Sequence, residues 1–229
     1  MSNKPLKASD QKKVNDLLKK RVRSVETRMM FPPYMYIVSE GTKTEPNYIC
    51  GLVNKINKKY KKFLPGDRIV VKGTGRNTQS LLEYARKTVN KEFPQAESVW
   101  LLYDKDDFPY DDFDNTQYSA EQKKDSREYK VAWSNECIEL WFLLHFQELH
   151  ASVGREQYYK MLSNHFSSFG IEKYDKSISN IYDILSDKTD VAISRAEIQY
   201  KDYGDNVPPS QRCPATRLFE LIKLLKEYI

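Results

Sequence analysis

The sequence lacks most of the features that would place it outside the class of folded domains with a packed core. No stretch approaches the roughly 18 consecutive apolar residues that a membrane helix needs, and nothing after Met1 reads as a secretory h-region. Its three cysteines, Cys50, Cys137 and Cys213, are odd in number and far apart. They give neither a disulfide framework nor a zinc spacing, which fits a reducing cytoplasm and leaves oxygen donors as the expected ligands for any metal. No internal repeat or low-complexity tract is present. The chain is 40% hydrophobic and 13% aromatic, which excludes disorder over most of its 229 residues.

Charge is the first positive feature. The net value of +5 is modest, but residues 1–30 hold nine Lys/Arg against three Asp/Glu, so the remainder is close to neutral. Within that arm, residues 9–28 read as a basic, weakly amphipathic helix: Val14, Leu17, Leu18, Val22 and Val25 share a face, and Ser9 can cap its start. A second basic cluster spans Lys55, Lys58, Lys59, Lys61 and Lys62. Such clustering suits a phosphate backbone, and it equally suits a solvated tail.

Two apolar stretches organise the rest. Met35-Tyr-Ile-Val-Ser39 runs into Glu40 and Gly41, and Val99-Trp-Leu-Leu-Tyr103 runs into Asp104-Lys-Asp106-Asp107. Both read as buried strands with carboxylates at their ends, where open α/β sheets collect ligands. After Pro46, Tyr48, Ile49, Leu52, Val53, Ile56 and Tyr60 give a helix with one apolar stripe. A short strand follows at 68–72, then the Gly73-Thr-Gly75-Arg-Asn77 loop, with Asn77 capping a helix that buries Leu81, Leu82, Ala85 and Val89. The two glycines lack the Lys-Ser/Thr of a phosphate-binding P-loop and are read as loop geometry.

Residues 108–127 read as a loop and a poorly amphipathic helix, and 129–133 as another strand. Ser134 or Asn135 is expected to cap an almost wholly apolar helix, Ile138 to Phe146. Helices are then predicted at 155–166, 178–186, 188–201 and 214–228, with Ile193 and Ile198, then Leu218, Leu221, Ile222 and Leu225, on their buried stripes. Alternation of strand and helix up to residue 146 implies a mainly parallel sheet.

The carboxylates suggest chemistry. Glu40, Asp104 and Asp106 are the hard oxygen donors that Mg²⁺ or Mn²⁺ takes, with water or phosphate completing the shell. On extended chain Asp104 and Asp106 point the same way while Lys105 points elsewhere. An ion so held polarises a phosphodiester and activates water, and Glu40 can serve as ligand or as general acid/base. Lys43 and Lys72 can offer charge to a scissile phosphate. The competing reading of these acids is as ordinary loop residues and helix caps.

Three segments together resemble the RloB-like family: Ser39-Glu-Gly-Thr-Lys-Thr-Glu-Pro-Asn-Tyr48, Tyr103-Asp-Lys-Asp-Asp-Phe108 and Ser134-Asn-Glu-Cys-Ile-Glu-Leu-Trp-Phe-Leu-Leu-His-Phe146. The basic arm and the closing Asn206…Pro-Ala-Thr216 segment also fit, so the likeness covers nearly the whole chain. That family is regarded as a branch of the TOPRIM group, shared with topoisomerases, primases and overcoming-lysogenization-defect nucleases. Its acidic pattern falls on Glu40, Asp104 and Asp106 here, around Mg²⁺, with Glu136 as a possible fourth site acid or a helix cap. The resemblance implies a nuclease effector of bacterial phage defence, working by abortive infection beside an ATPase partner. Function by fold analogy is an association, so the residue argument stands beside it.

The resulting expectation is an α/β, TOPRIM-like, mainly parallel sheet flanked by helices, spanning 34–150. A basic helical arm (1–33) precedes it and a helical C-terminal portion (151–229) packs on it. The expected site acids are Glu40, Asp104, Asp106 and Glu136. The expected nucleic-acid contacts are Lys43, Lys72, Arg76, Lys105, Lys19, Lys20 and Arg21. Glu45 is read as a first-turn acid positioning the first loop, Glu139 as a buried salt-bridge partner and His145 as a core histidine. A transfer-RNA-specific ribonuclease and a non-catalytic subunit binding nucleic acid or an ATPase are the alternatives.

Overall fold

Met35–Ser39 (β1) is apolar at nearly every position and is buried at every position, as a central strand covered on both faces must be. The structure, a computed structural model, describes residues 9–17, 30–107, 109–122 and 124–229. Residues 9–17 are helical (α1), and the chain divides into two units, 1–31 and 32–229. Leu18, Val22, Val25 and the basic Lys19, Lys20 and Arg21 lie outside the described residues.

Within 32–229 the elements follow as α2 (Thr44–Tyr60), β2 (Ile69–Gly73), α3 (Thr78–Glu92), β3 (Ser98–Asp104), α4 (Tyr110–Glu121) and β4 (Glu128–Asn135). The helical portion comprises α5 (Glu139–Leu144), α6 (Arg155–Phe166), α7 (Ile181–Leu185) and α8 (Thr189–Asp202), then the two-residue strand β5 (Ala215–Thr216) and α9 (Leu218–Lys226). The sheet order is β2-β1-β3-β4-β5; the first four strands are parallel, and β5 runs antiparallel to β4. No helix among the described residues is long and apolar enough to cross a membrane.

Strand periodicity divides the core. Tyr36, Val38, Val99, Leu101, Tyr103, Val131 and Trp133 face α3 and α4, while Met35, Ile37, Trp100, Leu102 and Ala132 face α2 and the helices that follow β4. Helix α2 and helix α3 therefore lie on opposite faces, and the order reverses between β1 and β3. That makes a topological switch point, with its crevice outside the carboxyl ends of those two strands. Leu218, Leu221, Ile222 and Leu225 are all buried, each at 1% exposure or less, so truncating one to Ala should cost about 2–5 kcal/mol.

The structure differs from the sequence reading at several places. Helix α2 begins at Thr44, ahead of Pro46, because first-turn amides need no intrahelical partner and the ring fits there. Ser134 and Asn135 do not cap α5; they complete β4 and pair with Thr216 and Ala215. Their side chains are satisfied by the C-terminal segment: Ser134 Oγ lies 2.9 Å from Thr216 Oγ1, and Asn135 Nδ2 donates to Ser210 O at 2.9 Å. Glu136 consequently precedes α5, and Glu139 occupies its first turn. Residues 215–216, expected in a helix, form the edge strand instead. Ile198 is 58% exposed, since five residues from Ile193 carry it off the buried face. Asn77 does cap α3, accepting a bond from the Ser80 amide at 3.2 Å.

Candidate active site

The switch-point crevice is built by two loops that bond to each other through backbone. Glu40 N donates to Leu102 O at 2.8 Å, which continues the β1–β3 pairing one residue past the strand. The β2–α3 loop folds over Glu40: Thr74 N donates to Ser39 O at 3.0 Å and Gly75 N to Glu40 O at 2.8 Å. A Cβ at Gly73 would stand 2.8 Å from Gly41 O, and Gly75 takes φ +67°, so both glycines serve the approach of the two loops. Thr78, opening α3, donates its hydroxyl to Glu40 Oε2 at 3.3 Å.

Four carboxylates sense one another here. Glu40 is pushed up from 4.5 to about 7, first by burial and then by the Glu45 charge; bonds from Thr78 and the Asp104 amide oppose the shift. Asp104, the last residue of β3, is raised well above the carboxylate range by burial, then by Glu45, Glu139 and Glu40. Burial also raises Glu45, and the Glu139 charge adds to it, while the Gly41 amide and its own amide work the other way. Glu139 is fully buried: Oε1 accepts from the Tyr174 hydroxyl at 2.8 Å, and Oε2 has no hydrogen-bond partner among the described residues. Like charges gathered away from water destabilise one another, and a cation placed among them would relieve that repulsion.

Asp106 and Glu136 stand beside this set. Asp106 has φ +41°, a left-handed conformation that Asp tolerates better than most residues. Its amide donates to Glu136 O at 3.0 Å, which ties the β3 and β4 loops together. Its carboxylate forms an ion pair with Arg155 at the start of α6. Asp106, Asp107, Glu136, Gly154, Arg155 and Glu156 all line a cavity of about 340 Å³. The structure thus brings Glu40 and Asp104 together at the crevice, and Asp106 and Glu136 at the adjoining cavity.

The expected cationic contacts are more scattered. Lys43 is exposed in the β1–α2 loop. Lys72 pairs with Glu92 at 3.3 Å on the α3 face, and Arg76 stacks on Tyr84 at 4.6 Å from the ring centre. The Lys105 ammonium lies 4.6 Å above the Tyr110 ring and 3.5 Å from Asp106 O. In the α2 cluster Lys55 pairs with Asp183 at 2.8 Å, and Lys59 donates to Ile229 O. His145 is a core residue: Nδ1 meets Trp141 O at 2.9 Å, and burial lowers its pKa to about 4.

A family model described as RloB-like protein matches residues 35–225. The chain belongs to the RloB-like family. No curated protein and no solved structure matches it.

The acids gathered at this crevice, Glu40, Glu45 and Asp104, offer oxygen donors, the kind a hard divalent cation takes. Glu139 Oε2, buried and without a hydrogen-bond partner among the described residues, and the mutual repulsion of Glu40, Glu45 and Asp104 are compatible with a bound cation beside Lys176 and Arg155. Glu40, Asp104 and Asp106 could hold such an ion. Among the described residues, however, no three His, Cys, Asp or Glu side chains are already arranged around one point, and Arg155 engages Asp106.

Sequence reasoning missed the contribution of the RloB-like chain's C-terminal portion. Arg155, Tyr174 and Lys176 reach the site from beyond residue 150. Thr44 Oγ1 donates to Lys176 O at 3.5 Å and Asn47 Nδ2 to Ile178 O at 3.4 Å, which docks the 174–178 segment on the start of α2. Burial opposes the Lys176 charge, but Glu139 and Tyr159 outweigh it and raise its pKa. The salt bridge expected for Glu139 is absent from the ion pairs of the described residues; a tyrosine hydroxyl takes that place. No local pattern in the sequence announces these contacts. The one available signal was the carboxylate of Glu139 in an otherwise apolar helix.

Proposed function

We propose that this RloB-like chain is a TOPRIM-type nuclease that hydrolyses phosphodiester bonds of DNA or RNA with Mg²⁺ or Mn²⁺. The observation that carries the reading is the repelling acid cluster at the carboxyl ends of β1 and β3, poised for a cation. Glu40, Asp104 and Asp106 would hold the ion, which when bound supplies Lewis-acid polarisation of the scissile phosphate. Alternatively, off the ion, Glu40, pushed up to about 7 by burial, would exchange a proton near neutral pH as a general acid or base. Thr78 fixes its Oε2. Glu136 faces the cavity where substrate would continue. The basic N-terminal arm and the Lys55 to Lys62 cluster would follow the nucleic-acid backbone with little sequence preference.

The family resemblance supports a role as an effector of abortive infection in phage defence, with an ATPase encoded nearby as partner. A second reading is favoured by one observation. Asp106 is already paired with Arg155, which suits a non-catalytic subunit that binds nucleic acid or the ATPase. Phage plating on cells carrying the whole locus separates the two, comparing wild type with Glu40→Ala and Asp104→Ala at equal protein levels. Loss of protection in both variants supports the nuclease; full protection in both supports the binding subunit. Cleavage of duplex DNA against transfer RNA by the assembled system then identifies the substrate.

A further inference from the structure

We propose that Arg155 is the residue of this site that contacts a substrate phosphate, and that it is parked on Asp106 until a metal ion takes that carboxylate. The inference rests on the metal-nuclease reading above and adds to it a phosphate contact from outside the acid cluster.

The argument begins with the cavity. Its walls include Asp106, Asp107, Glu136 and Glu156, and a phosphodiester entering among four carboxylates would be repelled unless a cation met it there. Arg155 is that cation on the cavity wall, a third exposed, and its charge also reaches Glu40. It therefore stands between the two groups of acids. Of the other basic residues that the sequence nominates, Lys72 pairs with Glu92, Arg76 lies on the Tyr84 ring, Lys105 lies over the Tyr110 ring and Lys43 is exposed in the β1–α2 loop, and none of the four lines this cavity.

Guanidinium suits the task. It is planar, always charged and matched to paired oxygens, so the fork that grips a carboxylate also grips a phosphate. A divalent ion competes for Asp106 with twice the charge of Arg155. Once the ion holds the carboxylate, the guanidinium faces a cavity large enough for a nucleotide phosphate. Gly154, at φ +79° with open space where a Cβ would stand, immediately precedes it and leaves the start of α6 sterically unencumbered.

The test measures two quantities of opposite sign on the full chain. Mn²⁺ binding is followed by the electron paramagnetic resonance of free Mn²⁺, without nucleic acid. Binding of a fluorescein-labelled oligonucleotide is followed by anisotropy in Ca²⁺ and again in EDTA. Arg155→Gln should bind Mn²⁺ on the order of tenfold more tightly, because a competitor is gone. It should bind the oligonucleotide on the order of tenfold more weakly in Ca²⁺, with little change in EDTA. Arg155→Lys should restore part of the oligonucleotide affinity. Lys160→Gln, an exposed charge loss on the same helix, provides the control for general electrostatics.

Weaker or unchanged Mn²⁺ binding by Arg155→Gln overturns the proposal, because a merely structural arginine would not hold the metal off. So does an equal loss of oligonucleotide affinity in Arg155→Gln and Lys160→Gln. Wild-type protein that binds no Mn²⁺ at all overturns the metal reading and this inference with it, whereas failure of the variants alone leaves that reading standing.

Discussion

Two acidic sites flank β1, and the protein treats them in opposite ways. Toward its amino-terminal end, Glu92 accepts from the Tyr36 hydroxyl at 2.8 Å, pairs with Lys72 at 3.3 Å and is held below the usual carboxylate range, the Tyr36 bond contributing most. Just past its carboxyl end, Glu40, Glu45 and Asp104 are raised by burial and by neighbouring carboxylates, and one oxygen of Glu139 has no hydrogen-bond partner among the described residues. The first arrangement stabilises the fold and is complete by itself. The second costs stability, and such cost persists where a ligand or reaction uses it. Opposed shifts for the same chemical group on either side of one strand separate a paired structural acid from a candidate site acid.

The largest expected effect lies in activity. Asp104→Asn should reduce metal-dependent cleavage by the assembled system at least about a hundredfold, whereas Glu92→Gln should change it less than about twofold. Equal losses in the two variants, measured as initial rates at matched protein levels, would erase the distinction between the ends.

Stability should move the other way. Glu139→Gln keeps the oxygen that accepts from Tyr174 and removes one repelling charge, so thermal unfolding at pH 8 should show a gain of about 0.5–2 kcal/mol. Glu92→Leu strands the buried Tyr36 hydroxyl and should cost about 1–3 kcal/mol. If Glu139→Gln destabilises the chain by calorimetry, like-charge repulsion does not strain the cluster.

The pH dependence sharpens the comparison further. The folded-state pKa of Glu40 is raised, so its contribution is full below the usual value of 4.5 and is lost as pH rises through about 7. Glu92 is lowered, so its contribution is present above that usual value and is lost on acidification. Glu40→Gln should therefore flatten the decline of Tm between pH 5 and 8, and Glu92→Gln the decline below about pH 5. Mn²⁺ affinity in wild type should strengthen through pH 7 as Glu40 deprotonates, and titrations at several pH values would show whether Glu40→Gln removes that slope.

The smallest effect concerns Lys72. Engaged with Glu92 on the α3 face, its replacement by Ala should weaken oligonucleotide binding less than about twofold. A larger loss would mean that the ion pair opens to reach substrate.

The strands and most helices were legible because their signals are local. Met35–Ser39 and Ser98–Asp104 are short buried apolar runs that end on acids, and α9 carries its stripe at helical spacing. The acids after β1 and β3 could be nominated for the same reason, since the end of a strand is visible in one dimension. Ser134 and Asn135 misled because their side chains suit a helix cap, whereas in the fold they meet Thr216 and Ser210 some 75 or more residues away. Glu45 was legible as a first-turn acid, but its nearness to Glu139 was not.

Sequence by itself therefore determined the family, the alternating α/β plan and the positions of Glu40, Asp104 and Asp106 at strand ends, because periodicity and strand termination are written in adjacent residues. Only the tertiary structure decided which charges meet. Glu139 joined the acids because α5 packs under the switch point, Lys72 was turned toward Glu92, and Arg155 was carried to Asp106 from a helix that begins about fifty residues further along. Electrostatic interaction depends on distance and burial in space, and neither quantity is encoded in local spacing.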